Sequence, residues 1–153
     1  VDVLQTKLDM GEKFGLTHSL LGGTETIEEE IRQIVGANGA DVVIETTGKS
    51  SMIEQAYKLT NSEGKTVLVG VPTKGDNISI YSLPLHFNQV ITGSHGGDAH
   101  PDIDIPRYIR LIQSGKMTLE GLITHEFKLE SINEAIDLFR VGVAGRIVID
   151  LNH

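Results

Sequence analysis

The side chains able to do chemistry in this chain gather at the ends of apolar stretches. "ADVVIETTG" closes on Glu45-Thr46-Thr47-Gly48, "KTVLVGVP" on Gly70-Val71-Pro72, and "NQVITG" runs into Gly93-Ser94-His95. The opening Val1-Asp2-Val3-Leu4 puts a carboxylate where a strand hands over to a helix. Three of these four ends carry glycine, which lets a flat ligand approach the backbone closely. In a dinucleotide fold, an acid at the end of a second strand accepts hydrogen bonds from an adenosine ribose. Its charge also repels a 2′-phosphate, which favours NAD over NADP. The plainer reading of Asp2 is a helix N-cap or a solvated terminal residue.

The remaining candidates each carry a bland alternative. Arg146 follows Gly142-Val143-Ala144-Gly145 and precedes an apolar run. A guanidinium there could clamp a pyrophosphate bidentately, or form a surface ion pair. Glu45 reads as a partly buried carboxylate that holds structure rather than moves protons. "GSHGGDAHPDID" offers His95, Asp98, His100, Asp102 and Asp104 as a metal cluster, or as a polar loop in which Asp104 caps the next helix. His18, His86, His125 and His153 stand alone in the sequence, so spacing supports no Ser-His-Asp triad. Gly64-Lys65-Thr66 and Gly48-Lys49-Ser50 mimic the end of a phosphate-binding P-loop. The glycine needed five positions earlier is Leu59 in one and Val43 in the other. No two glycines are separated by a single residue, so the dinucleotide glycine fingerprint is absent. In a dinucleotide fold, the first strand and its glycine turn would then be expected before Val1.

The elements that must position these residues alternate between helix-like and strand-like patterns. A helix over 6–14 is expected to stop at Gly15, with Gly11 marking close packing, followed by a short strand over 18–21. Thr26-Ile27-Glu28-Glu29 spells a capping box. Behind it, Ile27, Ile31, Ile34 and Val35 form one stripe that ends at Gly36. A strand, a helix carrying Met52, Ile53, Ala56 and Leu59, and a second strand follow, the strands apolar on both faces. Strand, helix, strand with short links means parallel strands joined by right-handed crossovers. The fold class is therefore α/β, a doubly wound parallel sheet (Rossmann-like) lacking its first strand and glycine turn. Further on, "NISI" and "NQVITG" read as strands. "DIDIPRYIRLIQSGKM" reads as a helix capped by Asp104 with Pro106 in its first turn. "LITHEFKL" is a strand, Ser131 to Glu134 a second capping box opening a helix that ends at Gly142, and "RIVIDL" a final strand.

Bulk properties narrow the partners. A net charge of −8 over 153 residues argues against nucleic acid and anionic membrane surfaces. The absence of cysteine excludes disulfides, thiolate nucleophiles and Cys-ligated zinc within this chain and favours a cytoplasmic setting. No apolar run is long enough to cross a bilayer, and no signal-peptide pattern is present.

"VDVLQTKLDMGEKFGLTH", "GADVVIETTG", "GKTVLVGVP", "LITHEFKLESINEAIDLFRVG" and "RIVIDL", in this order, resemble the C-terminal half of a medium-chain, zinc-type alcohol dehydrogenase. The resemblance implies cofactor-binding roles position by position. Asp2 and Lys7 would meet the adenosine ribose. Thr46, Thr47 and Lys49 would form the turn that passes the adenine and its ribose. Val69, Gly70 and Val71 would contact the nicotinamide side. Gly93, Ser94 and His95 would bind the carboxamide through backbone, and Arg146 the pyrophosphate. It implies an NAD-dependent oxidoreductase in which a bound zinc polarises the oxygen of a small alcohol or aldehyde while hydride passes to NAD. The zinc ligands belong to a catalytic domain that this sequence does not contain, so no catalytic or metal residue is assigned here. By itself the chain is expected to be inactive. Residues 1–94 would form an incomplete dinucleotide-binding domain, and 95–153 a segment that packs on the catalytic domain. "LITHEF" and "RIVIDL" would then be exposed apolar edges in the isolated chain, making it aggregation-prone or its tail rearranged. "NISIYSLPLHFNQVITG" resembles the family's dimer-forming edge, so a homodimer is the expected assembly. Three alternatives stand beside this reading: a stand-alone nucleotide-binding or interaction module without catalysis, a zinc-free quinone or enoyl reductase using NADPH, and a methyltransferase.

Overall fold

The computed structural model describes residues 1–152, and the isolated His153 lies outside them. The chain forms two compact units, one of residues Glu25–His100 and one of Val1–Thr24 with the chain from Pro101 onward.

The Glu25–His100 unit holds helix α2 (Ile27–Val35), strand β1 (Ala40–Glu45), helix α3 (Ser50–Leu59), and strands β2 (Thr60–Leu68) and β3 (Val90–Gly93). The three strands form one parallel sheet in the order β1-β2-β3. The register sets Glu45 opposite Leu68 and Leu68 opposite Gly93, so all three carboxyl ends lie level on one side. Helix α3 forms because Ile53, Ala56, Tyr57 and Leu59 recur at helical spacing, and all four are buried. Each large apolar side chain so buried contributes about 1.5–3 kcal/mol. Beneath it Thr66 is fully buried, its hydroxyl 2.7 Å from that of Thr60, which lies 2.8 Å from the Ala56 carbonyl. Arg32 ties α2 to the end of α3 by donating to the Lys58 carbonyl at 2.9 Å, and Glu28 pairs with both Arg32 and Lys58.

The α/β parallel sheet expected from the sequence is present, with α3 packed against β1 and β2, and Val42 and Ile44 of β1 are 56% and 62% exposed. Two expectations fail in this unit. The 77–80 stretch forms no strand, and the Ser79 amide donates to the Glu54 carboxylate at 2.7 Å instead. Thr26 takes helical dihedrals (φ −91°, ψ −3°), whereas a capping side chain needs an extended backbone to reach back. Its hydroxyl donates to Glu30 at 2.6 Å, one residue beyond the expected box. The α2 stripe is only part buried, with Ile27 inside and Ile34 and Val35 each 40% exposed.

The other unit holds helix α1 (Gln5–Lys13), helix α4 (Pro101–Gln113), strand β4 (Ile123–Lys128), helix α5 (Ile132–Val141) and strand β5 (Arg146–Asp150). Gly15, at φ +89°, terminates α1 as expected, and Gly11 packs against Leu16. The expected strand over 18–21 is reduced to one parallel bridge between Asp2 and Leu21. Helix α4 begins earlier than expected. Asp104 thus lies inside the helix, paired with Arg107 at 3.3 Å, and Pro106 sits in the interior rather than the first turn. Ser131 makes no side-chain cap bond among the described residues, its backbone (φ −96°, ψ 20°) holding the hydroxyl away from the free amides. Strands β4 and β5 pair with each other in parallel, joined through α5. Among the described residues no helix is long and apolar enough to cross a membrane.

Candidate functional site

The level carboxyl ends of β1, β2 and β3 bring nine of the twelve candidate residues to one side of the Glu25–His100 sheet: 46, 47 and 49 after β1, 69–71 after β2, and 93–95 at the end of β3. In open α/β sheets this is where ligands bind.

Glu45 organises that end. It is 5% exposed, and no cation faces it among the described residues. Its Oε1 accepts from the Thr47 amide at 2.6 Å, the Thr47 hydroxyl at 2.5 Å and the Gly48 amide at 3.2 Å, while Oε2 accepts from the Gly48 amide at 3.0 Å. Burial alone would raise the carboxyl pKa. The Thr47 hydroxyl and the Gly48 and Thr47 amides outweigh it and hold the group below its ordinary value, so it is ionised. The Glu45 carbonyl, in turn, accepts from the amides of Val69 at 2.8 Å and Gly70 at 3.1 Å. The loops after β1 and β2 cross where Gly48 meets Gly70. A Cβ on Gly70 would collide with the Gly48 amide nitrogen and the Thr47 carbonyl carbon, and one on Gly48 with the Val71 backbone.

Around this crossing Thr46, Lys49, Val69 and Val71 are exposed. The Thr47 hydroxyl is used inside its turn, also accepting from the Lys49 amide at 3.1 Å. Gly93 is open, with no atom within 4 Å of where its Cβ would be. Ser94 donates its amide to the Leu68 carbonyl at 2.8 Å. His95 is exposed, adopts φ +44°, and places Nδ1 3.0 Å from an Asp98 carboxylate oxygen.

The other three candidates lie in the second unit. One Asp2 carboxylate oxygen accepts from the Leu4 amide at 2.9 Å, a local turn ahead of α1 rather than the helix N-cap, which is Leu4. Lys7 donates through Nζ to the Ala144 carbonyl. Arg146 starts β5, its amide donating to the Leu122 carbonyl at 2.9 Å, and its exposed guanidinium has no partner among the described residues. The 142–145 turn is tightly docked: the Gly145 amide donates to the Thr124 hydroxyl at 3.0 Å, and a Cβ there would meet the Leu122 carbonyl oxygen at 2.9 Å. Lys7 and Arg146, 139 positions apart in sequence, thus attend the same turn.

In the Glu25–His100 unit, the exposed Thr46 and Lys49 and the open Gly93 backbone suit a dinucleotide. A resident zinc does not fit, since no three His, Asp or Glu side chains among the described residues could hold a metal ion. A cavity of about 670 Å³ also opens in the Glu25–His100 unit, bounded by Glu54, Tyr57, Lys58, Tyr81 and Gln89. It contains none of the twelve candidates and sits by Thr60 and Gln89, at the amino ends of β2 and β3. The carboxyl-end loops remain the better site because they carry the open backbone and exposed polar groups. Sequence reading left Glu45 out of the site. Its one signal was an acid inside an otherwise apolar strand followed directly by Thr-Thr-Gly.

Comparison with known proteins fits this geometry. The family model described as zinc-binding dehydrogenase matches residues 1–114. "Alcohol dehydrogenase-like 2" of Arabidopsis thaliana is 35% identical over 153 residues, covering 97% of this chain and 39% of its own length. Benzyl alcohol dehydrogenase from Acinetobacter calcoaceticus superimposes with a TM-score of 0.89 at 25% identity, over 99% of this chain and 41% of its own. A protein described as a zinc-binding dehydrogenase from Sinorhizobium meliloti 1021, solved bound to NADP, gives 0.73 at 25% identity, over 88% of this chain and 39% of its own. The chain spans about two fifths of the length of these relatives.

Proposed function

The chain belongs to the zinc-binding dehydrogenase family, and from that premise we propose that it supplies the dinucleotide-binding part of an oxidoreductase acting on a small alcohol or its aldehyde. The observation that carries this reading is the trio of loops at the carboxyl ends of β1, β2 and β3, crossed at Gly48 and Gly70 and offering exposed polar groups and open backbone. The bound nicotinamide dinucleotide would supply a hydride acceptor or donor. In the Glu25–His100 unit the cofactor-binding residues would be Thr46, Thr47, Lys49, Val69, Gly70, Val71, Gly93, Ser94 and His95; in the other unit they would be Asp2, Lys7 and Arg146. NAD is the favoured form because Asp2 keeps one carboxylate oxygen clear of the Leu4 amide, ready for ribose hydroxyls and repulsive to a 2′-phosphate.

The polar groups that activate the alcohol, zinc ligands included, lie outside this chain's described residues. Residues 1–94 would act as the dinucleotide-binding domain and 95–153 as a segment packing on a catalytic domain. The protein would work in the cytoplasm as a homodimer joined through the β3 edge. A second reading, NADPH-dependent reduction, draws on the Sinorhizobium meliloti protein bound to NADP. Fluorescence titration with NADH and NADPH in parallel separates the two. Tighter NADH binding is expected, tighter NADPH binding favours the second reading, and binding of neither overturns both. Alcohol-dependent NADH formation by the 153-residue chain alone would refute the assignment of the chemistry elsewhere.

A further inference from the structure

Resting on the dinucleotide reading, we propose that Glu45 is a positioning residue for the cofactor. Its side chain shapes the loop after β1 while its carbonyl holds the loop after β2, so one buried residue fixes both walls of the crossing. Six of the twelve candidate residues (Thr46, Thr47, Lys49, Val69, Gly70 and Val71) belong to these two loops.

Each half of the brace rests on separate contacts. The carboxylate draws the Thr47 amide, the Thr47 hydroxyl and the Gly48 amide inward, at 2.5–3.2 Å. Gly48, at φ +71°, thereby holds a left-handed turn that lets the Gly70 backbone cross it without a side chain between. The main-chain oxygen of the same residue receives the amides of Val69 and Gly70. Releasing the carboxylate would loosen the first loop, and the contact at the crossing would pass that freedom to the second.

The brace also sets what the loop after β1 can recognise. With the Thr47 and Gly48 amides consumed by a carboxylate, the turn has no free amide nest for a phosphate, and a buried negative charge lies directly beneath it. What it presents outward is Thr46, Lys49 and backbone carbonyls. These suit a hydroxyl-bearing group such as a ribose rather than the pyrophosphate. This also explains why Gly48-Lys49-Ser50, for all its likeness to a P-loop ending, does not act as one.

Glutamine cannot replace the carboxylate. With its oxygen at the Oε1 position, its NH₂ faces the Gly48 amide, donor against donor. Glu45→Gln is therefore expected to raise the Kd for NADH about tenfold at 25 °C, with the circular dichroism spectrum at that temperature unchanged. That is about 1.4 kcal/mol, just under the range for hydrogen bonds to a charged group. Thr47→Val, which removes one of the donors, is expected to raise the Kd about threefold, and Thr47→Ser, which restores the hydroxyl, to return it to the parent value. A lower melting temperature with an unchanged Kd would make Glu45 merely structural and overturn the proposal. Should Glu45→Gln fail to fold, a parent-like Kd in Thr47→Val would overturn it equally. If the parent binds neither NADH nor NADPH, the dinucleotide reading falls first and the positioning role falls with it.

Discussion

Gly70→Ala is the substitution the loop crossing tolerates least. Gly70 is not among the glycines at positive φ, so its backbone dihedrals alone would accept alanine. The obstacle is steric. The added methyl would enter the space of the Gly48 nitrogen and the Thr46 and Thr47 carbonyl carbons, all backbone atoms that no rotamer change can move aside. Overpacking costs about 1–3 kcal/mol where side chains can yield, so the upper end applies here, about 3 kcal/mol. For a chain of this size each kcal/mol moves the melting temperature by about 2–4 °C, giving a fall of roughly 6–12 °C. Gly93→Ala is the matched control: it also lies at a strand end with no positive φ, and has nothing within 4 Å of the added methyl. It should stay within about 0.5 kcal/mol of the parent, a change of about 2 °C at most. Thermal unfolding followed by circular dichroism reads both. A Gly70→Ala melting point within 2 °C of the parent, or a Gly93→Ala loss as large as that of Gly70→Ala, would refute the backbone-crossing argument.

Three further expectations concern individual side chains. Arg146→Ala should weaken NADH binding in a fluorescence titration and leave the melting temperature within about 2 °C, because the guanidinium has no partner among the described residues. Val42→Thr with Ile44→Thr keeps β-branched residues at two exposed strand positions. Light scattering and dye-binding fluorescence should fall, with little change in melting temperature, whereas a large drop would show the two positions to be buried in the folded protein. Glu45 has its folded pKa depressed below the ordinary 4.5, so its stabilising contribution is fully present above that value and is lost as pH falls through the folded pKa. The melting-temperature gap between the parent and Glu45→Gln should therefore be constant from pH 7 to 5 and narrow below pH 4.5; a gap that widens in acid would contradict the ionised assignment.

The strands and helices were legible because their signals are local. Ile53, Ala56, Tyr57 and Leu59 recur at helical spacing and are buried together. The β1 and β2 runs end in turn residues, and the register follows from their parallel pairing. Both capping boxes were misread for a common reason. The motif names the side chains, but the cap depends on the dihedrals of one residue. Thr26 and Ser131 both have ψ close to zero rather than the extended value that a cap requires. The exposure of Val42 and Ile44 escaped because the two residues look the same in sequence whether buried or exposed.

The site itself was half legible, and the division has a physical basis. Positions 46–49, 69–71 and 93–95 could be found because each directly follows an apolar strand, and parallel topology alone brings such ends together. The interactions that shape the loops between them join residues up to 25 positions apart: the Glu45 carbonyl with the Val69 and Gly70 amides, and the Gly48 backbone with that of Gly70. These are main-chain contacts, and main-chain atoms leave no mark on residue identity except where they forbid a Cβ. Gly48 and Gly70 are that mark, read at first only as freedom for a ligand to approach. The structure turns the inference around. At both positions the missing side chain makes room for the other loop, and the ligand is left with the surface that the crossing creates. Glu45 is the residue whose charge fixes that surface, which is why a carboxylate that touches no cation among the described residues and lies beneath the loops can still decide what they bind.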